Sequence, residues 1–410
     1  MGNDGRRSGA LRRALPVSLR SALGSAYYTL SNSLTLRRAA TPATLEEGVC
    51  LCGQLTEASG MGQAARLLAS GCRAAKIPLS LRSVLSAEGT EIAVPEWEPY
   101  FTAAGDRRVN LFVFNADCSE YFLRRLGAGI LRGRYNIAHW SWELPEFPRR
   151  WQSCFDRYDE IWTISEFCRE AIEARSPVPV RVIPYGIDPH PDAALTRADF
   201  GLPEDRLLFL SMADLRSIAA RKNPLGALEA YLRAFPEDNG VTALALKLSG
   251  SGSAVEELRQ RIGGRQDIFL LCGIYESERS EALIALSDVF VSLHRAEGFG
   301  LPIAEAMALG RCTVVTGWSG NMDFTSPDNA VCVKYRLVNV GDLAVPPYDR
   351  TQLWAEPDLD DAAEALRRLA EDSELRSRLA SAGQATIRER YSPARCGEAI
   401  RQRLSELKLI

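Results

Sequence analysis

Short apolar runs alternate with helix-periodic segments twice along this chain of 410 residues, with one polar, proline-bearing break between the two series. In the first series, apolar runs at 49–55, 78–84, 109–115, 135–140, 160–165 and 180–185 have the continuous burial expected of parallel strands. Helical periodicity falls between them at 63–75, 146–155 and 166–174. The break covers 191–203. The pattern then restarts, with strands at 207–211, 243–249, 267–272, 288–293 and 312–316 and helices at 224–235, 254–262, 280–286, 301–309 and 360–371. Such alternation predicts α/β units, parallel sheets with helices on both faces. Two units of similar size predict two Rossmann-like domains facing across a cleft, with ligands at the carboxyl ends of the strands. The stretch 317–356, with Pro327, Pro346 and Pro347, lacks periodicity and is expected to be an irregular insertion.

Composition enters where it excludes a class. A net charge of −3 leaves no global basic surface for nucleic acid. Ten cysteines without a CxxC spacing, beside three histidines, give neither a zinc site nor a disulfide framework. Reduced, buried thiols are expected, and they favour the cytoplasm. No apolar run reaches the roughly 18–20 residues that span a bilayer. Residues 1–45 form a basic leading segment with Leu15, Leu19, Leu23, Tyr27, Leu30 and Leu34 at spacings of three and four. That face makes 9–38 a candidate for peripheral contact with a membrane, at its inner face, or for packing on the protein itself.

The densest chemistry lies in the run from Ser292 to Gly310. A buried strand ends near His294, the turn Gly298-Phe299-Gly300 follows, and Pro302 sits where a first helical turn favours it. Backbone N–H groups and a helix's positive end then face the strand's carboxyl edge, which suits a phosphate. Glu297 and Glu305 flank that position and suit hydroxyls on either side of a diphosphate. The plainer alternative is a solvated Glu297 and a Glu305 that only complements the helix dipole. Between a strand and a helix, the run Asp214 to Pro224 carries Arg216, Arg221 and Lys222, and only five of the chain's 49 basic residues are lysine. These are candidate diphosphate ligands or else a solvated basic face. Gly60 and Gly62 follow the first strand, where glycine lets backbone approach a ligand or simply tightens a turn. His139-Trp-Ser-Trp-Glu143 ends another strand, with the aromatics equally at home in a core.

Taken together these motifs resemble the retaining GT-B glycosyltransferases of the family-4 type, the glycosyl transferases group 1. The resemblance rests on Glu297 and Glu305 in an E-x7-E spacing, the Arg221-Lys222-Asn-Pro loop, the glycine pair and the stretch from Trp140 to Pro148, and it covers about 48–410. It implies that Glu297 meets the transferred sugar, Glu305 the ribose, and Arg221 and Lys222 the diphosphate. It also implies that Gly298, Phe299, Gly300, Leu301, Arg216 and Ile274 line the donor site, Ile274 beside the base. Gly60, Gly62, Glu143 and His139 fall on the first domain's side of the cleft. The family's more common form has an arginine five residues before the lysine; here that position is Ser217, so Arg216 or Arg221 must serve.

The implied domains are 46–190 for the acceptor, 191–203 as linker, 204–392 for the nucleotide-sugar donor, and 393–410 as a helix crossing back. The implied reaction moves a sugar from a nucleotide-diphosphate sugar to a hydroxyl, on a polysaccharide or lipid-linked glycan, with retention. No cofactor and no metal are expected, since the acid run Asp358-Leu-Asp360-Asp361 opens a helix and suits capping. Two rivals remain: a silent GT-B protein that binds nucleotide sugar as a scaffold, and a sugar-nucleotide epimerase, which would need acid/base groups and a histidine at the sugar.

Overall fold

The computed structural model describes residues 45–87, 89–102 and 107–410. The basic segment 9–38 lies outside the described residues. Six strands form the first sheet: β1 Glu46–Gly53, β2 Leu79–Ser83, β3 Arg107–Val113, β4 Tyr135–Trp140, β5 Glu160–Thr163 and β6 Val180–Val182, in the order 2-1-3-4-5-6. Six more form the second: β7 Leu207–Asp214, β8 Thr242–Ser249, β9 Ile268–Cys272, β10 Val289–Ser292, β11 Cys312–Thr316 and β12 Val331–Val333, in the order 12-11-10-7-8-9. Every pairing within the two sheets is parallel. Helices cover both faces, so the strands are apolar without alternation, and β5 and most of β3 and β4 are buried.

Each sheet has one point where the winding reverses. The chain leaves β1 toward β2 and returns on the other side as β3; it leaves β7 toward β8 and returns as β10. Loops diverge at such a point and open a crevice at the strands' carboxyl ends. Segments after β1, β3, β7 and β10 line one common cleft.

Contacts at several places fix the two sheets relative to each other. Ser165 caps the helix Glu166–Glu173, accepting from Cys168 N, and its hydroxyl donates to Gly298 O at 2.6 Å across the domain boundary. Asp323 of the second half accepts from Glu166 N at 2.8 Å, beside the edge-on pair Phe167 and Trp318. The terminal helix Pro393–Glu406 lies on the helix Gly60–Ala74. They meet through small residues: a Cβ on Gly71 would stand 2.5 Å from Cys396 Sγ, and one on Gly397 2.3 Å from Gly71 O.

The structure departs from the sequence expectations in several places, and it adds the helices Ser119–Leu126 and Ser373–Arg390. Residues 146–155 are not an α-helix; Pro148 ends an extended stretch and a 3-10 helix, Arg149–Arg157, follows. The stretch 317–356 is partly regular, holding β12 and the antiparallel pair β13 Tyr335–Asn339 and β14 Leu353–Pro357. β13 is largely exposed and β14 buries only Trp354, Ala355 and Pro357, so neither carries the long apolar run that marks a strand buried on both faces. The ten cysteines are all unpaired.

Because the two helices touch backbone to side chain, Gly71→Val should overpack the seam and cost about 1–3 kcal/mol, measured as a lower urea midpoint. An unchanged midpoint would mean the terminal helix is not seated on the first domain as described.

Candidate active site

The glycine turn after β10 is held from beneath by the loop after β11. Gly320 N donates to Glu297 O at 2.9 Å, and Glu297 N donates to Ser319 Oγ at 2.9 Å. A Cβ at position 320 would lie 1.9 Å from Gly298 O, so only glycine allows this approach. Gly300 takes a left-handed conformation, with φ at 92°, and the helix Leu301–Ala308 starts there with Pro302 in its first turn. His294 is fully buried beneath the turn, its Nε2 3.0 Å from Asn321 Oδ1, and burial holds its pKa down.

Two cations converge on Glu297. Lys222 Nζ donates to Oε1 at 2.6 Å and Arg221 Nη1 lies 3.1 Å from Oε2. Both cations come from the short helix Ala219–Lys222, which follows β7 at the reversal point. Arg221 is 4% exposed; it donates to Ala296 O at 2.8 Å and to Ser217 Oγ at 3.0 Å, and its Nη2 is 3.8 Å from Glu143 Oε1. Its buried Nε has no partner among the described residues. Burial by itself would raise the Glu297 pKa, but the charges of Lys222 and Arg221 outweigh it and hold the carboxyl at about 2. Asn223, at φ 53°, caps the next helix through Gly226 N and donates to Leu293 O at 2.8 Å, joining the basic loop to the glycine turn. Arg216 is more exposed and is held in a fork by Asp214, at 3.0 and 2.8 Å.

One cavity of about 630 Å³ gathers Gly60, Glu143, Arg216, Arg221, Lys222 and Glu297 together with Gly298 to Leu301. Four expected residues, His139, Gly62, Ile274 and Glu305, lie outside that lining. His139 at the end of β4 is fully enclosed, stacked on Tyr185 at 5.4 Å with Nε2 3.2 Å from Ile183 O. Burial drops its pKa to about 4, so it is a neutral core histidine behind the cleft wall. Gly62 is buried behind the cleft, where it donates to the cap oxygen of Ser59; a Cβ there would meet Glu57 O at 2.2 Å. Ile274 projects into solvent, 48% exposed, beyond the cleft lining. Glu305, on the helix behind the glycine turn, is half-buried, and its carboxyl has no hydrogen-bond partner among the described residues. Burial, with Glu281 nearby, pushes its pKa up to about 8. Asp358 caps the helix Leu359–Glu371, accepting from Asp360 N and Asp361 N.

Two cleft residues are absent from the sequence expectations. Lys247, inside the apolar β8, donates to Ser249 Oγ and Gly273 O, both at 2.8 Å, and lies 4.4 Å from the Tyr275 ring centroid. Burial lowers its pKa to about 8. A lone lysine in an apolar strand of a lysine-poor chain was the available signal. Tyr348, from the segment between β13 and β14, donates to Glu143 Oε2 at 3.1 Å. Only its contact across the domains reveals it.

This architecture is the GT-B fold, two Rossmann-like α/β domains across a cleft. Residues 206–372, most of the second domain, match the model of the family Glycosyl transferases group 1. Solved structures of the same fold include sucrose-phosphate synthase from Thermosynechococcus elongatus, 15% identical, with 88% of this chain and 99% of that chain covered at a TM-score of 0.63. HepE from Anabaena in complex with UDP is 16% identical, with 88% and 100% covered at 0.61. TarM from S. aureus, in complex with Fondaparinux, alpha-GlcNAc-glycerol and UDP, is 13% identical at 0.53; 75% of this chain is covered, and the match spans 57% of the TarM chain. No curated protein matches the chain in sequence.

The raised pKa of Glu305 has a definite sign for stability. Between about pH 4.5 and 8 the folded chain keeps a proton that the unfolded chain has lost. The group's contribution is therefore complete below about 4.5 and is lost as pH rises through about 8. Relative to Glu305→Gln, the wild type should lose stability at up to about 1.4 kcal/mol per pH unit across that window. Parallel urea titrations at pH 6, 7 and 8 check it; equal slopes would show that Glu305 is not held protonated.

Proposed function

We propose that this chain is a retaining glycosyltransferase that moves a sugar from a nucleotide-diphosphate donor to a hydroxyl of a glycan or lipid-linked acceptor. The observation that carries the reading is the convergence of Lys222 and Arg221 on Glu297, beside the glycine turn at the start of the helix Leu301–Ala308. In the transfer, the bond from the anomeric carbon to the diphosphate oxygen breaks as the bond to the acceptor oxygen forms on the same face. The acceptor's proton passes to the departing phosphate oxygen. Arg221 and Lys222, with the N–H groups at the helix start, stabilise the charge that builds on the diphosphate. Glu297, kept ionised by its cationic neighbours, accepts hydrogen bonds from the sugar and balances the oxocarbenium character of the reacting carbon. Glu305 accepts from the ribose hydroxyls, which would release its proton as the donor binds. The charge on the leaving group is thus assigned to side chains of the chain itself, and a divalent ion has no required part.

The epimerase alternative loses its base, because His139 and His294 are enclosed and His190 does not line the cleft. Nothing observed favours a silent scaffold over turnover.

A thermal-shift screen with UDP-, GDP-, ADP- and dTDP-sugars tests the donor site. Ligand at a hundred times its Kd should add about 2.7 kcal/mol to the wild type. Lys222→Ala should lose most of that gain and lower turnover about 100-fold or more, equivalent to about 2.7–4 kcal/mol of leaving-group stabilisation. Turnover should be unchanged by EDTA. Stabilisation by none of these nucleotide sugars would remove the transferase reading.

A further inference from the structure

We propose that a second cavity, between the β13–β14 excursion and the first domain, is the acceptor subsite, and that it takes a neutral glycoside with an apolar face rather than an anionic glycan. The inference rests on the transferase reading and adds where the second substrate sits and what its chemistry is. The cavity measures about 730 Å³ and lies on the other side of the loop after β7 from the donor cleft. Asn115, Glu143, Arg216 and Ser217 line both spaces, so the two adjoin. A hydroxyl presented at Glu143 would stand beside Arg221, whose other carboxylate neighbour is Glu297.

Residues 340–352 form the outer wall as a strap. The strand β14 into which the strap runs is fixed to its own domain by Arg295, which forks onto Glu356 at 2.6 and 2.9 Å. The strap itself is fixed to the first domain by Tyr348 on Glu143, by Gln352 Nε2 donating to Glu146 O at 2.7 Å, and by the Arg150 guanidinium on Pro347 O. This wall is therefore built, and it bridges both domains over the cavity.

The lining states the ligand's chemistry. Trp142, Trp151 and Tyr348 form an aromatic corner, with the Trp142 ring edge-on to Trp151 at 5.2 Å and to Tyr348 at 5.6 Å. Trp142 and Tyr348 are buried in this packing, so the half-buried Trp151 offers most of the aromatic surface, which suits the C–H face of a pyranose or an alkyl aglycone. Leu343 and Val345 carry the apolar surface outward to solvent, at 49% and 47% exposed. The charges point the same way. Arg216 is already held by Asp214, Asp342 is paired with Arg350, and Glu143 is engaged by Arg221 and Tyr348, which leaves Asp117 as the lining carboxylate with no ion pair among the described residues. Carboxylates accept from sugar hydroxyls and repel a phosphate or uronate.

The test follows nucleotide release from UDP-glucose, GDP-mannose and ADP-glucose. Octyl glucoside, galactoside and mannoside serve as neutral acceptors, and the matching glucuronide as an anionic one. At least one neutral glycoside should raise release several-fold above the rate with water alone, and the glucuronide should not. Val345→Glu should raise the KM for that glycoside about tenfold with little change in kcat, and Asp117→Asn should narrow the gap between neutral and anionic acceptors. The melting temperature of each variant shows that it has folded, and Asp117→Asn keeps the test open if the strap variant does not. Preference for the glucuronide, no stimulation by any neutral glycoside, or an unchanged KM in the strap variant would overturn the assignment. The transferase reading fails differently: the wild type would gain no thermal stability from any of the three donors.

Discussion

Arg221 is a buried guanidinium, and the mouth of the second sheet is organised around satisfying it. An unpaired charge in such a place would cost several kcal/mol. The chain meets that cost from four directions: Ala296 O in the glycine turn, Ser217 in its own loop, the Glu297 carboxylate, and Glu143 from the other domain. Glu143 is held in turn by Tyr348 of the strap. One cation therefore registers the basic loop, the glycine turn, the first domain and the strap against each other. Moving any of them exposes or orphans a charge.

Position 217 shows how this arrangement accommodates a local change. Its serine hydroxyl accepts from Arg221, which leaves that arginine turned inward onto Glu297. Arg216, the alternative cation, is diverted to Asp214 at the cleft edge. Lys222 is the less enclosed of the two, its side chain 18% exposed against 4% for Arg221, and its ammonium is held by Glu297 alone among the described residues.

Much of the fold was legible because double-sided burial writes long apolar runs. The eleven expected strands all correspond to strands of the two sheets, with ends displaced by a few residues. The reading failed where burial is one-sided or the backbone is proline-bound. β13 and β14 pair with each other, β13 largely exposed and β14 burying only Trp354, Ala355 and Pro357, and Pro148 replaces a helix with a 3-10 turn. In the site, Glu297, Arg221 and Lys222 could be picked out from chemistry and spacing, and the structure brings them within hydrogen-bonding range. His139 and Gly62 could not be separated from cleft residues, because a strand end or a turn reads alike whether its side chain faces a ligand or the core.

The sequence by itself determined the local rules: which runs must be buried, where helices start, and which loops hold a glycine or a paired charge. These depend on near neighbours along the chain and survive without a partner. Only the tertiary structure decided which reversal points would face each other and which of three arginines and lysines would share Glu297. It also decided that a segment without periodicity would cross back to Glu143, some two hundred residues earlier in the chain. Those outcomes depend on contacts between distant residues, whose energies vanish when the chain is extended and so leave no periodicity to read.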